Sequence, residues 1–157
     1  MSWFLYCMAK NPQYQDKVFD ELHDIFGTSD RPCSFDDLSH MKYLEYCMKE
    51  SHRLYSSSAL FERKINKDIR LGDINRNLFS SINLNTILFS GQYLIPAGCN
   101  LNIMAYGLHH NPRIYPNPSV YNPERFFPDQ SAERHPYAFL PFSAGPRNCI
   151  GTFSPLV

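Results

Sequence analysis

Residues 141–151 read Pro-Phe-Ser-Ala-Gly-Pro-Arg-Asn-Cys-Ile-Gly, a Phe-x-x-Gly-x-Arg-x-Cys-x-Gly pattern. Nothing else in the sequence constrains the fold as much, because the pattern demands one particular loop around one sulfur. A thiolate acceptor needs backbone N–H donors about it, and Gly145 and Gly151 let the backbone turn closely around the sulfur. Arg147 is permanently charged and offers a donor fork to an anionic group nearby. Phe142 is placed to shield the sulfur from water. The plainer alternative is a Gly/Pro loop around a buried packing cysteine, but packing requires neither the glycines nor the arginine.

At 157 residues the chain is long enough for one ordinary domain, and at 43% hydrophobic and 15% aromatic it can build a sizeable core. Lys plus Arg equals Asp plus Glu, 15 each, which gives no reason to expect nucleic acid or an anionic membrane surface as partner. Aromatic residues can stack on bases, but the basic residues do not cluster, so core packing accounts for them. Nine of the twelve prolines fall from Pro112 onward, which makes the last third irregular. The five cysteines, Cys7, Cys33, Cys47, Cys99 and Cys149, are odd in number and widely spaced, without Cys-x-x-Cys. That argues against a disulfide framework or a zinc ribbon and for a reducing compartment. The apolar run around Trp3–Ala9 falls far short of the roughly 20 residues that span a bilayer, and it lacks the flanks of a signal peptide.

Met1–Lys10 is apolar and helix-compatible with no cap before it, as though a longer helix ended there. Asn11-Pro12 breaks it. Pro12 then opens a second helix to about Phe26, with Val18, Leu22, Ile25 and Phe26 as its apolar stripe and Gly27 as its stop. Ser34, followed three residues later by Asp37, marks a short capped turn. Ser39–Tyr55 is the strongest helical segment. Tyr43, Cys47, Glu50 and Leu54 share one face, with Tyr46 and Arg53 beside them. Glu50 and Arg53, three apart, are neighbours that continue an apolar stripe, so burial would require them to pair. Strands follow at Leu60–Ile65 and Ile69–Leu71. Tyr93–Ile95 and Asn100–Met104 suggest a hairpin about Pro96-Ala97-Gly98 through a type I turn. Asn-Pro pairs at 111–112, 117–118 and 122–123 mark irregular backbone.

The run Arg-His-Pro-Tyr-Ala-Phe-Leu-Pro-Phe-Ser-Ala-Gly-Pro-Arg-Asn-Cys-Ile-Gly (134–151) resembles the haem-ligand loop of the cytochromes P-450, and most of all that of family-4 members. Glu50-Ser51-His52-Arg53 is similar to the Glu-x-x-Arg of that family's K helix. Pro123-Glu124-Arg125-Phe126 is similar to its meander, in the right order before the cysteine. The resemblance extends from Trp3 to Gly151 and implies a mainly α fold with small β-sheets. The fold it implies is the C-terminal part of the cytochrome P-450 fold: the end of the distal helix, the J and K helices, β hairpins, meander and cysteine-ligand loop, truncated at both ends. It implies haem b (iron protoporphyrin IX) as cofactor, with Cys149 as axial iron ligand and Phe142, Gly145, Arg147 and Gly151 around it. Arg147 would pair with a haem propionate, and His109, with His110 as a competitor, would lie near one. Glu50, Arg53 and Arg125 would form a buried structural ion cluster. His23 and His40 read as surface residues, His52 as packing, and His135 has no evident role.

Two stretches depart from the family pattern. Asp73–Ser90 lies where a tight connection is usual, so 73–90 reads as an insertion, either translated non-coding sequence or a lineage-specific loop, expected to be a poorly ordered excursion. The 152–157 tail does not match the helix that follows the cysteine in the family, a helix that Pro155 opposes. The family's membrane anchor, its acid–threonine proton pair and most substrate-contacting segments precede the point at which this resemblance begins. The implied parent reaction is haem-dependent monooxygenation, with electrons from NADPH through a reductase and a lipid-like small molecule or fatty acid as substrate. The Cys149 thiolate would push electron density toward iron to favour O–O cleavage. The family implies the cytosolic face of the endoplasmic reticulum membrane. For the 157-residue chain alone the expectation is no catalysis, and the alternative reading is a truncated or mis-spliced product with weak or no haem binding.

Overall fold

The Asn11-Pro12 break separates α1 (Ser2–Lys10) from α2 (Pro12–Phe26) in a computed structural model that describes residues 1–71 and 93–153. Pro12 occupies the first helical turn, where a missing N–H costs nothing, and Gly27 stops α2 with a φ of +58°. Asn11 also finishes α1, its side-chain amide donating to the Cys7 carbonyl at 2.8 Å. α3 (Phe35–His40) opens with a reciprocal Ser34–Asp37 capping box. Arg31 closes on Asp37 with two N–H···O bonds of 2.6 and 2.7 Å. That guanidinium, ahead of the Ser34 hydrogen bonds, holds the Asp37 carboxyl well below the usual carboxylate range.

α4 (Lys42–Leu54) is the helix against which the others rest. It touches α1, α2, a short helix α5 (Ala105–His109) and the 3-10 turn Pro123–Phe126. The apolar pattern predicts one helix from Ser39, but α3 ends at His40 and Met41 turns the chain with φ −77° and ψ 59°. α4 has no side-chain cap from its own N-cap residue. Glu21 of α2 fills that role, its carboxylate accepting the N–H of Tyr43 at 2.6 Å and of Leu44 at 2.9 Å. First-turn amides have no intrahelical partner, and a negative group there also meets the positive end of the helix dipole. Between these helices Cys7, Met8, Val18, Cys47 and Tyr121 form the core, flanked by Phe4, Tyr14, Leu22 and Tyr43.

β1 (Phe61–Lys64) pairs antiparallel with β4 (Asn100–Ile103), and β2 (Ile69–Leu71) pairs antiparallel with β3 (Tyr93–Ile95). The hairpin expected between Tyr93–Ile95 and Asn100–Met104 is therefore replaced: each strand pairs with an earlier one. The reason lies in the turn. Gly98 N–H donates to Ile65 at 2.7 Å and Ile65 N–H donates to Cys99 at 2.9 Å, continuing the β1–β4 ladder. The Asp68 carboxylate takes the Ala97 N–H at 2.8 Å. Residues 96–99 thus steer the chain from one ladder into the other. Gly98, third in a turn closed by Cys99 N–H to Pro96 at 3.4 Å, has a φ of +91°. A positive φ at that position is the mark of type II, not type I.

Beyond α5 the backbone is irregular, as the prolines require, with 3-10 turns at Pro123–Phe126, Pro136–Ala138 and Ile150–Phe153 and one short helix, α6 (Pro128–Ser131). The chain is mainly helical with small antiparallel ladders. The 73–90 stretch and residues 154–157 of the tail lie outside the described residues. Glu21→Ala is expected to lower stability by about 1–2 kcal/mol in denaturant unfolding, because it orphans two first-turn amides. Glu21→Gln, which keeps one acceptor, should fall between the two.

Candidate functional site

Glu50 and Arg53 are both completely buried on the inner face of α4. Arg53 donates to the Glu50 carboxylate through Nε at 2.7 Å and Nη2 at 2.8 Å. Its Nη1 donates to the His109 carbonyl at 2.8 Å. The Glu50 carboxylate also accepts the Asn122 N–H at 2.9 Å. Arg125, from the 3-10 turn, brings Nε to 3.5 Å from Glu50, a charge contact too long for a hydrogen bond, and that Nε makes none among the described residues. Its Nη2 donates to the Asn117 carbonyl at 3.0 Å. The structure thus brings together Glu50, Arg53 and Arg125, with Arg125 the loosest member.

From this cluster, contacts lead toward residues 141–151. Tyr115 is fully buried under the Arg53 guanidinium, 5.1 Å from its ring centroid, and its hydroxyl donates to the Ala138 carbonyl at 3.2 Å. Arg134 lies over the other aromatic surfaces, 4.7 Å from the Tyr115 centroid and 5.5 Å from that of Phe126, and donates to the Arg125 carbonyl at 2.7 Å. His109, the last residue of α5, is fully buried, and its Nε2 accepts the Leu140 N–H at 2.9 Å. Burial, then the nearby Arg53 charge, pushes the imidazole down to about 4. The expected place of His109 near a propionate is a matter for its other nitrogen: Nε2 is engaged by the main chain, and the buried Nδ1 has no hydrogen-bond partner among the described residues. His110 is stacked on Tyr106 at 4.0 Å, and its Nδ1 meets the Tyr106 carbonyl at 3.0 Å.

The cysteine loop is closed by its own backbone. Cys149 N–H donates to the Phe142 carbonyl at 2.9 Å and Asn148 N–H to Gly145 at 3.0 Å. Gly145 takes a φ of +81°, and Ser143 takes +65°, a left-handed conformation that a side chain adopts at a cost. Gly151 lies in the final 3-10 turn. Phe142 is half-buried, edge-on to His52 at 5.1 Å, and borders an apolar hollow of about 270 Å³ with Trp3, Met48 and Tyr55. Arg147 and Cys149 are exposed. Cys7 and Cys47, by contrast, are buried packing thiols, and burial pushes Cys47 up to about 12.

Arg63 is a loop contact that the motif did not reveal. From β1 its Nη2 donates to Ser143 Oγ at 2.8 Å and to the Arg147 carbonyl at 3.2 Å. A signal was present: in β1, Phe61 and Arg63 share the less exposed phase, and Glu62 and Lys64 the other. A charge on the inward phase of a strand marks a specific partner. Arg134 and Tyr115 left no comparable trace, since their neighbours come from distant parts of the chain.

The family model for cytochrome P-450 matches residues 1–79 and 77–153. Human cytochrome P-450 4V2 is 42% identical over 151 residues, 96% of this chain and 25% of that protein. Cytochrome P-450 4c21 of the cockroach Blattella germanica is 42% identical, over 96% of this chain and 26% of its own length. Cytochrome P-450 4c3 of Drosophila melanogaster is 40% identical, over 96% and 25%. With its buried ion cluster and glycine-bounded cysteine loop in hand, the chain belongs to the cytochrome P-450 family. It spans about a quarter of the length of the curated relatives it matches.

Two outcomes test the cluster. Glu50→Gln leaves two guanidinia without their carboxylate and should cost about 3–5 kcal/mol in chemical denaturation. His109 titrates near 6.5 when unfolded and about 4 when folded. Between those values the unfolded chain binds a proton that the folded chain does not, so stability falls as pH falls, by up to about 1.4 kcal/mol per pH unit. His52 and His110, whose values burial also lowers, add to that slope. The difference in slope between the parent chain and His109→Gln isolates the His109 part.

Proposed function

We propose that the chain is part of a haem-thiolate monooxygenase in which Cys149 is the proximal axial ligand of haem b. One observation carries the reading. Of the three exposed cysteines, Cys33, Cys99 and Cys149, Cys149 closes a long loop, its N–H reaching seven residues back to the Phe142 carbonyl with Arg147 inside the loop and Arg63 tied across it, whereas Cys99 closes only a four-residue turn between two ladders. The donor set suits the group: an accessible sulfur, a permanently charged Arg147 for a propionate, and Phe142 beside the loop to exclude water. When bound, haem iron supplies the centre at which one atom of dioxygen enters an organic substrate and the other leaves as water. The chain's own residues act as a frame. Arg63 ties the loop to β1, and the Glu50–Arg53–Arg125 cluster fixes the segments that precede it.

Resemblance to family-4 members extends the proposal to a fatty acid or related lipid as substrate and to NADPH, through a cytochrome reductase, as electron source. It also points to the cytosolic face of the endoplasmic reticulum. No helix among the described residues is long and apolar enough to cross a membrane. A second reading concerns these 157 residues taken by themselves, about a quarter of the relatives' length, which would bind haem weakly or not at all.

Haem titration of the purified chain followed by the reduced carbon-monoxide spectrum separates these readings. Thiolate ligation in the parent chain and its loss in Cys149→Ser is the expected result. A thiolate signature that survives in Cys149→Ser would overturn the assignment, and failure to take up haem would favour the second reading.

A further inference from the structure

Leu140 supplies the last main-chain donor before the cysteine loop, because Pro141 has no N–H. That donor is not used in a strand or helix. It goes to the imidazole of His109, 31 residues earlier, at 2.9 Å. Two residues on, the Phe142 carbonyl receives the Cys149 N–H at 2.9 Å. His109 is itself anchored, since its carbonyl accepts Arg53 Nη1 at 2.8 Å. Its ring lies against Phe139, with centroids 5.3 Å apart, and has no exposed surface.

An imidazole that accepts at Nε2 carries its proton on Nδ1. Among the described residues that Nδ1 has no hydrogen-bond partner, although it is fully buried. A buried unsatisfied donor is unfavourable, so packing does not explain a histidine here, because an apolar side chain of similar size would fill the space without that penalty. What leucine could not do is accept the Leu140 N–H. The acceptor is therefore the reason for the ring.

We propose that His109 is a positioning residue for the Cys149 loop: anchored on Arg53 through its carbonyl, it fixes through Nε2 the point at which the chain enters residues 141–151. The ion pair of α4, the end of α5, Leu140 and the loop then form one series of hydrogen bonds. The functional end of this inference rests on Cys149 being the iron ligand, but its structural end does not. Arg53, His52 and His110 are the charged and titratable groups that face the ring, from α4 and α5.

The test uses the 157-residue chain with His109→Leu, which removes the acceptor, and His109→Gln, which retains one. Amide exchange is read residue by residue. In His109→Leu the Leu140 amide should exchange up to about tenfold faster relative to the α4 amides Cys47 and Ser51, and His109→Gln should recover part of that protection. Nitrogen-15 spectra of the parent chain should show Nε2 unprotonated at neutral pH. In the haem-loaded chain the fraction with a thiolate signature under carbon monoxide should fall in His109→Leu and recover partly in His109→Gln. Unchanged Leu140 exchange, or an equal loss of protection across α4 in both variants, would overturn the proposal. If neither the parent chain nor a variant shows thiolate ligation, the second reading of the 157 residues is favoured, while Leu140 exchange still decides the role of His109.

Discussion

Two opposite charges, Glu50 and Arg53, lie with no solvent access one turn apart on α4, and the rest of the structure is arranged around that fact. Desolvating either charge alone would be prohibitive, and even a pair is stable only if every remaining lone pair and N–H finds a partner. The partners come from elsewhere in the chain: the carbonyl of His109 at the end of α5 and the N–H of Asn122 before the 3-10 turn. Satisfying the pair therefore fixes α5 and the 3-10 turn relative to α4. This matters most in the proline-rich third, where few ladders or long helices exist to hold the backbone in place.

The same logic passes outward to the loop. Tyr115 and Arg134 stack near the pair and hold the Ala138 and Arg125 carbonyls, and His109 holds Leu140. Arg63 approaches from β1 and takes the Arg147 carbonyl and the Ser143 hydroxyl. Nearly every one of these contacts is a side chain satisfying a main-chain group. An irregular segment cannot satisfy its own backbone, so long polar side chains do so instead. The loop is thus pinned from two directions while Cys149 stays exposed.

The cysteines divide along the same line. Cys7 and Cys47 are part of the hydrophobic core, where burial raises the thiol and makes it inert, and they serve as small apolar side chains. Cys149 stands on a turn whose glycine could not be replaced without strain at a φ of +81°. Residue type alone does not distinguish these roles. Neighbouring residues did: the glycine and arginine spacing singled out Cys149, and helical periodicity placed Cys47 on an inner face.

Local features were legible in the residues. The Pro12 start and Gly27 stop of α2, the Ser34–Asp37 cap and the three-residue spacing of Glu50 and Arg53 each depend on atoms a few positions apart, which is the range over which sequence speaks directly. The motif at 141–151 is of the same kind, a loop turned at Gly145 and closed by its own Cys149 N–H, although Ser143 supplies a second left-handed residue that no glycine marks. What the sequence could not specify was the choice of distant partners. The Tyr93–Ile95 segment was equally able to pair with its neighbour or with Ile69–Leu71, and the difference rests on the Asp68 carboxylate accepting the Ala97 N–H and on the Ile65 main chain bonding to Gly98 and Cys99. The cap that Glu21 places on α4, the reach of Arg63 to the loop and the inward turn of His109 have the same origin. Each is a buried or orphaned polar group finding the one complementary group that packing has brought near it, and only the tertiary structure decides which group that is.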